Sequence, residues 1–286
     1  MKFSFVSKYL QHVVGTSKNQ IALPSTIRRL ENSLSLKTHF RPGATLGNKE
    51  LIELHNNILQ VGRYKNIDHP LCHEGQGIEE LRERYSNAVI SLIYDGTKPE
   101  AFLYSPWLHS NVGYICHVGL IVSTGKTSRR SFGLLGFSLP DIILRNGILS
   151  YYMTSITRNP GLIKFFSNGT SRPWPEALDS KHPPPEEYFP VVQTLLEHDA
   201  KKNVLKASPN LKNYTVSSQC NETGFKGQLR PLTQRDCENE EEDLVQVGIM
   251  TPFYAVAATM QLELICGLSR WKNSRIIAPL VGLKPN

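Results

Sequence analysis

His117–Leu144 reads HVGLIVSTGKTSRRSFGLLGFSLPDIIL, and its changes of character decide how the rest of the chain is read. The run to Val122 has the apolar, β-branched content of a strand. A Gly/Ser/Thr turn follows, carrying Lys126, Arg129 and Arg130, and from Ser131 an apolar run of helical length extends to about Arg145. A helix that starts here leaves its first N–H groups unpaired and its dipole positive towards the turn, which favours an anion. Gly133, with Gly136 nearby, lets a ligand approach the backbone. Between residues 121 and 164 the cations are Lys126, Arg129, Arg130, Arg145, Arg158 and Lys164, and the only acid is Asp141. The stretch therefore reads as a phosphate or pyrophosphate site, beside the plainer reading of a basic loop before an ordinary helix.

Working outward, Asn48 is a candidate cap for a helix whose stripe is Leu51, Leu54, Ile58 and Val61. GIEELRERYS (77–86) reads as a second, short helix. Two apolar runs then flank Asp95-Gly96-Thr97-Lys98-Pro99, a hairpin signal. VGYICHVGLIVS (112–123) is one further strand, LSYYMTSIT (149–157) another, and NPGLIKFFSNG (159–169) a helix with Pro160 in its first turn. The order helix, helix, three strands, helix, strand, helix implies an α/β or α+β domain with a central sheet. Residues 1–45, basic and turn-rich, read as an N-terminal extension; 46–172 as the core; and 173–286 as a C-terminal extension or second lobe.

The chain has 286 residues, 40% of them hydrophobic, and a net charge of +7. This excludes a disordered chain and favours acidic partners: nucleic acid, anionic lipid, a nucleotide cofactor or an acidic carrier protein. Five cysteines without CxxC spacing exclude a cysteine-rich zinc site and fit reduced thiols in a cytoplasmic protein. His69 and His73 flank Cys72 at metal-like spacing, yet their loop context favours an ordinary histidine pair, and no metal is expected. The apolar segment 244–268 contains Pro252 and Glu263 and reads as buried structure rather than a membrane span, with peripheral lipid contact open to it. DCENEEED (236–243) reads as a solvated acidic loop.

The element order, with Arg130-Ser-Phe-Gly133-Leu-Leu-Gly136 in the turn and Asn159 followed by Phe165-Phe166, resembles the GNAT superfamily of acyltransferases over roughly residues 45–170. That resemblance implies a central mixed sheet flanked by helices. It also implies an acyl-CoA, or an acyl group on the phosphopantetheine of an acyl carrier protein, as co-substrate. Lys126, Arg129, Arg130, Gly133 and Gly136 would hold its phosphates, and Asn159 and Phe165 its pantetheine arm. Backbone amides at Leu120 and Val122 would stabilise the oxyanion. A base must deprotonate the acceptor. The strand holds no acid at the family's usual place, so His117 is the candidate and His109 the reserve. Thr154, Ser155 and Thr157 are candidates for binding a peptide or small-molecule acceptor through its amine or hydroxyl. The apolar C-terminal region suits an acyl chain longer than acetyl. The competing class is a non-catalytic protein whose basic groove holds nucleic acid or an acidic protein partner.

Overall fold

The computed structural model describes residues 23–30, 33–67, 69–125, 128–157, 159–176, 183–201, 214–217 and 242–272; in 128–132, 160, 199–201, 215, 217, 242 and 267–272 it describes the backbone alone. The strands are β1 (Ser25–Arg29), β2 (Leu34–Phe40), β3 (Ala88–Asp95), β4 (Lys98–Ser110), β5 (Gly113–Val118), β6 (Ile121–Ser123), β7 (Tyr151–Thr157), β8 (Ser171–Trp174), β9 (Thr215–Ser217) and β10 (Glu242–Met250). The helices are α1 (Asn48–Tyr64), α2 (Ile78–Ser86), α3 (Ser128–Arg145), α4 (Pro160–Gly169), α5 (Tyr188–Lys201) and α6 (Pro252–Lys272). The chain is mixed α/β, as expected. Its described residues fall into two compact units, one drawn from 1–104, 120–149 and 255–286, the other from 105–119 and 150–254.

In the first unit the strands run β1-β2-β3-β4-β6. β3 is buried along its first six residues and reads as a continuous apolar run because both of its faces are covered. Ile90 and Leu92, with Phe102 and Val122, pack under Leu51, Leu54, Ile58 and Val61 of α1 and Leu81 and Tyr85 of α2. The α1 stripe is the expected one. Its cap is not: Gly47 is the N-cap, its N–H bonded to Glu50 at 3.1 Å, while Asn48 accepts from Arg82. Residues of β3 that alternate with Ile90 and Leu92 face α3, where Ser91 and Ser138 share a 2.7 Å hydrogen bond. Arg28 of β1 reaches Asp141 of α3 at 2.8 Å and also pairs with Glu263 of α6. Arg145 closes on Asp141 at 3.0 Å.

In the second unit the end of β4 pairs antiparallel with β5, β5 parallel with β7, and β7 antiparallel with β10, which also pairs with β8 and β9. One sheet face, with Ile115, Val245 and Val247, packs on Tyr188, Val191, Val192 and Leu195 of α5. The alternate residues face α4. There Gly248 lies so close to the helix end that a Cβ would stand 2.3 Å from Thr170 Oγ1.

Three expectations are corrected. The N-terminal extension is integral: β2 pairs with β3 over seven residues, on the alternation of Leu34, Leu36, Thr38 and Phe40. The C-terminal region is divided, with β8, β9, β10 and α5 completing the second unit and α6 from Ala255 onward returning to the first. The strand expected over 112–123 is two strands. Four steps along β4, from Leu103 to Trp107, oppose five along the chain from Cys116 to Ile121, so one extra residue forms a bulge. The apolar run 244–268 is β10 and then α6, which starts at Pro252 because proline is favoured in a first turn. Among the described residues no helix is long and apolar enough to cross a membrane. Residues 236–241 of the acidic run lie outside the described residues.

Candidate active site

The first unit ends its sheet at β6. Tyr104 N–H donates to the Leu120 carbonyl and Thr124 N–H to the Glu100 carbonyl, both at 2.9 Å, with Phe102 opposite Val122 between them. Antiparallel pairs alternate between bonded and non-bonded partners. Leu120, Val122 and Thr124 therefore spend their backbone groups on β4. The amides of Ile121 and Ser123 point to the other edge, where no strand pairs among the described residues. The backbone groups of Leu120 and Val122, the expected oxyanion donors, are thus committed to the ladder with β4.

The turn after β6 is pinned from below. The Thr124 hydroxyl donates to the buried Glu100 carboxylate, which Lys98 approaches at 3.1 Å. Gly125 then adopts φ +104°, a conformation that costs any other residue strain. Lys65, at the C-terminal end of α1, brings its Nζ to 3.8 Å from where a Gly125 Cβ would be. That cation is far from the turn in sequence, and no local pattern announces it. Lys126 lies outside the described residues, and of Arg129 and Arg130 the backbone alone is described, within the first turn of α3. The α3 helix begins at Ser128, ahead of the apolar run that starts at Ser131, and continues through Pro140. Gly133 is half-buried, and an added Cβ would meet only the Phe137 ring at an ordinary 3.9 Å, so packing does not demand a glycine there. Gly136 is buried.

The second unit holds the histidine strand. His117 is 6% exposed, and its Nδ1 shares a 3.0 Å hydrogen bond with Thr154 Oγ1. Burial first, and the neighbouring His198 of α5 second, push its pKa down to about 3, so the ring is neutral at physiological pH. Cys116 faces the opposite side of the strand, and burial pushes its thiol up to about 12, which rules out a thiolate pair with His117. His109 is exposed near the turn of the β4–β5 hairpin, opposite Tyr114, with its ring edge-on to that tyrosine at 5.2 Å. His117 stands at the other end of β5, opposite Thr154, so the two candidate bases are not brought together.

The three hydroxyls read as acceptor ligands are dispersed. Thr154 is fully buried against His117. Ser155 faces the opposite side and donates to Gln246 at 3.4 Å, whose amide in turn bonds Ser167 and the Pro175 carbonyl. Thr157 accepts the Asn159 N–H at 3.0 Å. Asn159 itself caps α4, its Oδ1 accepting from Gly161 and Leu162. Phe165 is half-buried, while Phe166 packs beside Gly248. His69 Nδ1 accepts the Leu71 N–H at 3.1 Å and so caps the short turn Pro70–Cys72.

No family model and no curated protein matches the chain. Among solved structures it is similar to a GNAT-family acetyltransferase from Streptococcus pneumoniae, at 14% identity and TM-score 0.33 over 52% of this chain and 87% of that one. It is also similar to a ribosomal L7/L12 alpha-N-protein acetyltransferase in complex with coenzyme A (15%, TM-score 0.30, 45% and 74%). A third is an acetyltransferase from Thermus thermophilus (14%, TM-score 0.29, 54% and 90%). Likeness at this level assigns no residue, ligand or reaction to this chain.

Proposed function

We propose that the protein is an acyltransferase working by direct attack. An acyl thioester, on coenzyme A or on the phosphopantetheine of an acyl carrier protein, gives its acyl group to an amine or hydroxyl of a peptide or small molecule. The observation that carries this reading is the β6 edge, whose Ile121 and Ser123 amides run into the Gly125 turn and the N-terminus of α3. An extended arm bearing amides can pair with such an edge as a strand would. Phosphates then find unpaired N–H groups, the positive end of a helix dipole and Lys65.

In the reaction the acceptor's nitrogen or oxygen bonds to the thioester carbonyl carbon. The carbonyl re-forms as the carbon–sulfur bond breaks, and the thiolate leaves with the proton the acceptor gave up. Amides at the β6 edge would steady the oxyanion, a contribution of about 10²–10³ in kcat per donor in comparable sites. An acyl chain longer than acetyl remains part of the proposal, although β10 and the inner face of α6 already account for the apolar content of 244–268. Peripheral lipid contact would fall to Phe253, Met260 and Leu264, the exposed large apolar side chains of α6 among the described residues.

A thermal-shift panel tests the reading with coenzyme A, acetyl-CoA, a long-chain acyl-CoA, adenosine bisphosphate and a phosphopantetheinylated carrier protein. A ligand at about a hundred times its Kd adds about 2.7 kcal/mol to stability. We expect that stabilisation from the acyl-CoAs or from the loaded carrier, lost on combining Arg130→Ala with Gly133→Asp. No shift with any of these overturns the reading.

A further inference from the structure

The α6 helix is apolar on more than one side. Ala255, Val256, Thr259, Leu262 and Cys266 are buried. Phe253, Met260 and Leu264 form a separate stripe of the same helix, at i, i+7, i+11, and are 76%, 51% and 60% exposed. A helix apolar all round is normally covered all round, and among the described residues this stripe is bare. The only acid of Pro252–Lys272 is Glu263, which Arg28 holds and Arg145 approaches at 3.7 Å, so α6 offers the stripe no free carboxylate. Trp271 follows Leu264 by seven residues and stands between Arg270 and Lys272. From Leu264 to Asn286 the sequence has four cations and no acid. Residues 1–30, which include β1, have five cations and no acid. The pairing of Arg28 with Glu263 joins β1 to α6 within the first unit, and so brings the elements that border both acid-free stretches into contact.

We propose that α6 docks the protein on an anionic lipid surface. Phe253, Met260 and Leu264 enter the headgroup layer, and the cations that follow them in sequence supply the charge. The inference rests on the lipid contact of the proposed function and gives that contact a lipid class; it does not depend on acyl transfer. A helix that lies in a membrane interface combines an apolar stripe bearing Trp, Phe or Leu with Lys and Arg beside it. Tryptophan favours headgroup depth, and long cationic side chains lay their stems on apolar surface while their charges stay in water. Charge decides the occupant. An anionic surface complements both acid-free stretches, whereas a second copy of the chain seated on the same face would bring like charges together.

The test is co-sedimentation of the full chain with vesicles of phosphatidylcholine alone and of phosphatidylcholine mixed with phosphatidylserine. Tryptophan emission and the coenzyme A thermal shift are read on the same protein. We expect binding to the mixed vesicles and a blue shift of emission that Trp271→Phe removes. Binding should be lost at about 1 M salt, where screening cuts the reach of a charge to about 3 Å. Combining Arg270→Gln, Lys272→Gln and Arg275→Gln should weaken it on the order of a hundredfold, since each cation near the surface is worth about fivefold. Combining Met260→Asp with Leu264→Asp should weaken it at least about tenfold and leave the urea midpoint in place. Equal binding to both vesicles, or binding to neither, overturns the anionic surface. Undiminished binding of the Met260→Asp, Leu264→Asp protein overturns α6 as the face. A dimeric wild type that this pair of substitutions makes monomeric, without vesicle binding, assigns the stripe to a second copy and overturns the proposal. Should the substituted protein fail to fold, the wild type decides: no blue shift on the mixed vesicles overturns the docking. Vesicle binding without a coenzyme A shift keeps the docking and overturns the acyltransferase reading, and the converse result does the opposite.

Discussion

At the scale of single residues, burial outweighs sequence motif. His117 titrates near 6.5 when unfolded and at about 3 in the fold, and His39 is likewise pushed to about 3, by burial first and Lys37 second. Between those values the unfolded chain binds more protons than the folded one, so stability is complete above about pH 6.5 and is lost as pH falls towards 3. The slope is at most about 1.4 kcal/mol per pH unit for each histidine. Urea denaturation between about pH 7.5 and 4.5 should show this decline, and His117→Gln should make it shallower; an unchanged slope would mean that His117 titrates normally. Gly125 is the second residue-scale case. Gly125→Ala forces a Cβ at φ +104° and, on the acyltransferase proposal, should weaken coenzyme A binding by roughly tenfold, since strain of this kind costs about 1–2 kcal/mol. Calorimetric titration checks it. His117 and Gly133 were legible as candidates because their neighbours in sequence mark a strand and a turn. Lys65, Glu100 and His198 were not, since tertiary folding alone brings them to the turn and the strand.

At the scale of elements, what could be read depended on whether the signal was local. The hairpin at Asp95–Gly96 is written in its turn residues, and Gly96 indeed takes φ +60°. α1 follows from its apolar stripe, and α4 from Pro160 in its first turn. β2 went unread as a core strand because Ser35, Lys37 and His39 give it a polar face, although Leu36 and Phe40 are buried on the other side of the same alternation. The break between β5 and β6 has no compositional mark, because a bulge is a property of register against β4. Gly248 shows packing between elements at its tightest. Gly248→Val would drive side-chain carbon into Thr170 and Phe166, and overpacking of this sort costs typically about 1–3 kcal/mol. A shift of the urea midpoint by less than the error of measurement would show that α4 yields freely.

At the scale of the molecule, the first unit is held together by charges far apart in sequence. Asp141 is 1% exposed and accepts from both Arg28 and Arg145. Arg28 is the more buried of these two partners, 12% exposed against 31%, and it also holds Glu263, so Arg28→Ala, which leaves Asp141 to Arg145 alone, should destabilise by on the order of 3 kcal/mol. Arg145→Ala, which leaves the Arg28 contact in place, should cost less; equal losses in chemical denaturation would contradict this hierarchy. None of it is visible in the sequence, where Arg28 looks like one more cation in a basic arm. The same network has a consequence for how the chain is made. Glu263 follows Arg28 by 235 positions, with the whole of the second unit translated in between. At about 5–20 residues per second, the ribosome takes roughly 10–50 s to deliver that carboxylate after the arginine. The nascent first unit must wait that long with its α6-facing side bare, the stage at which chaperones and proteases would meet it.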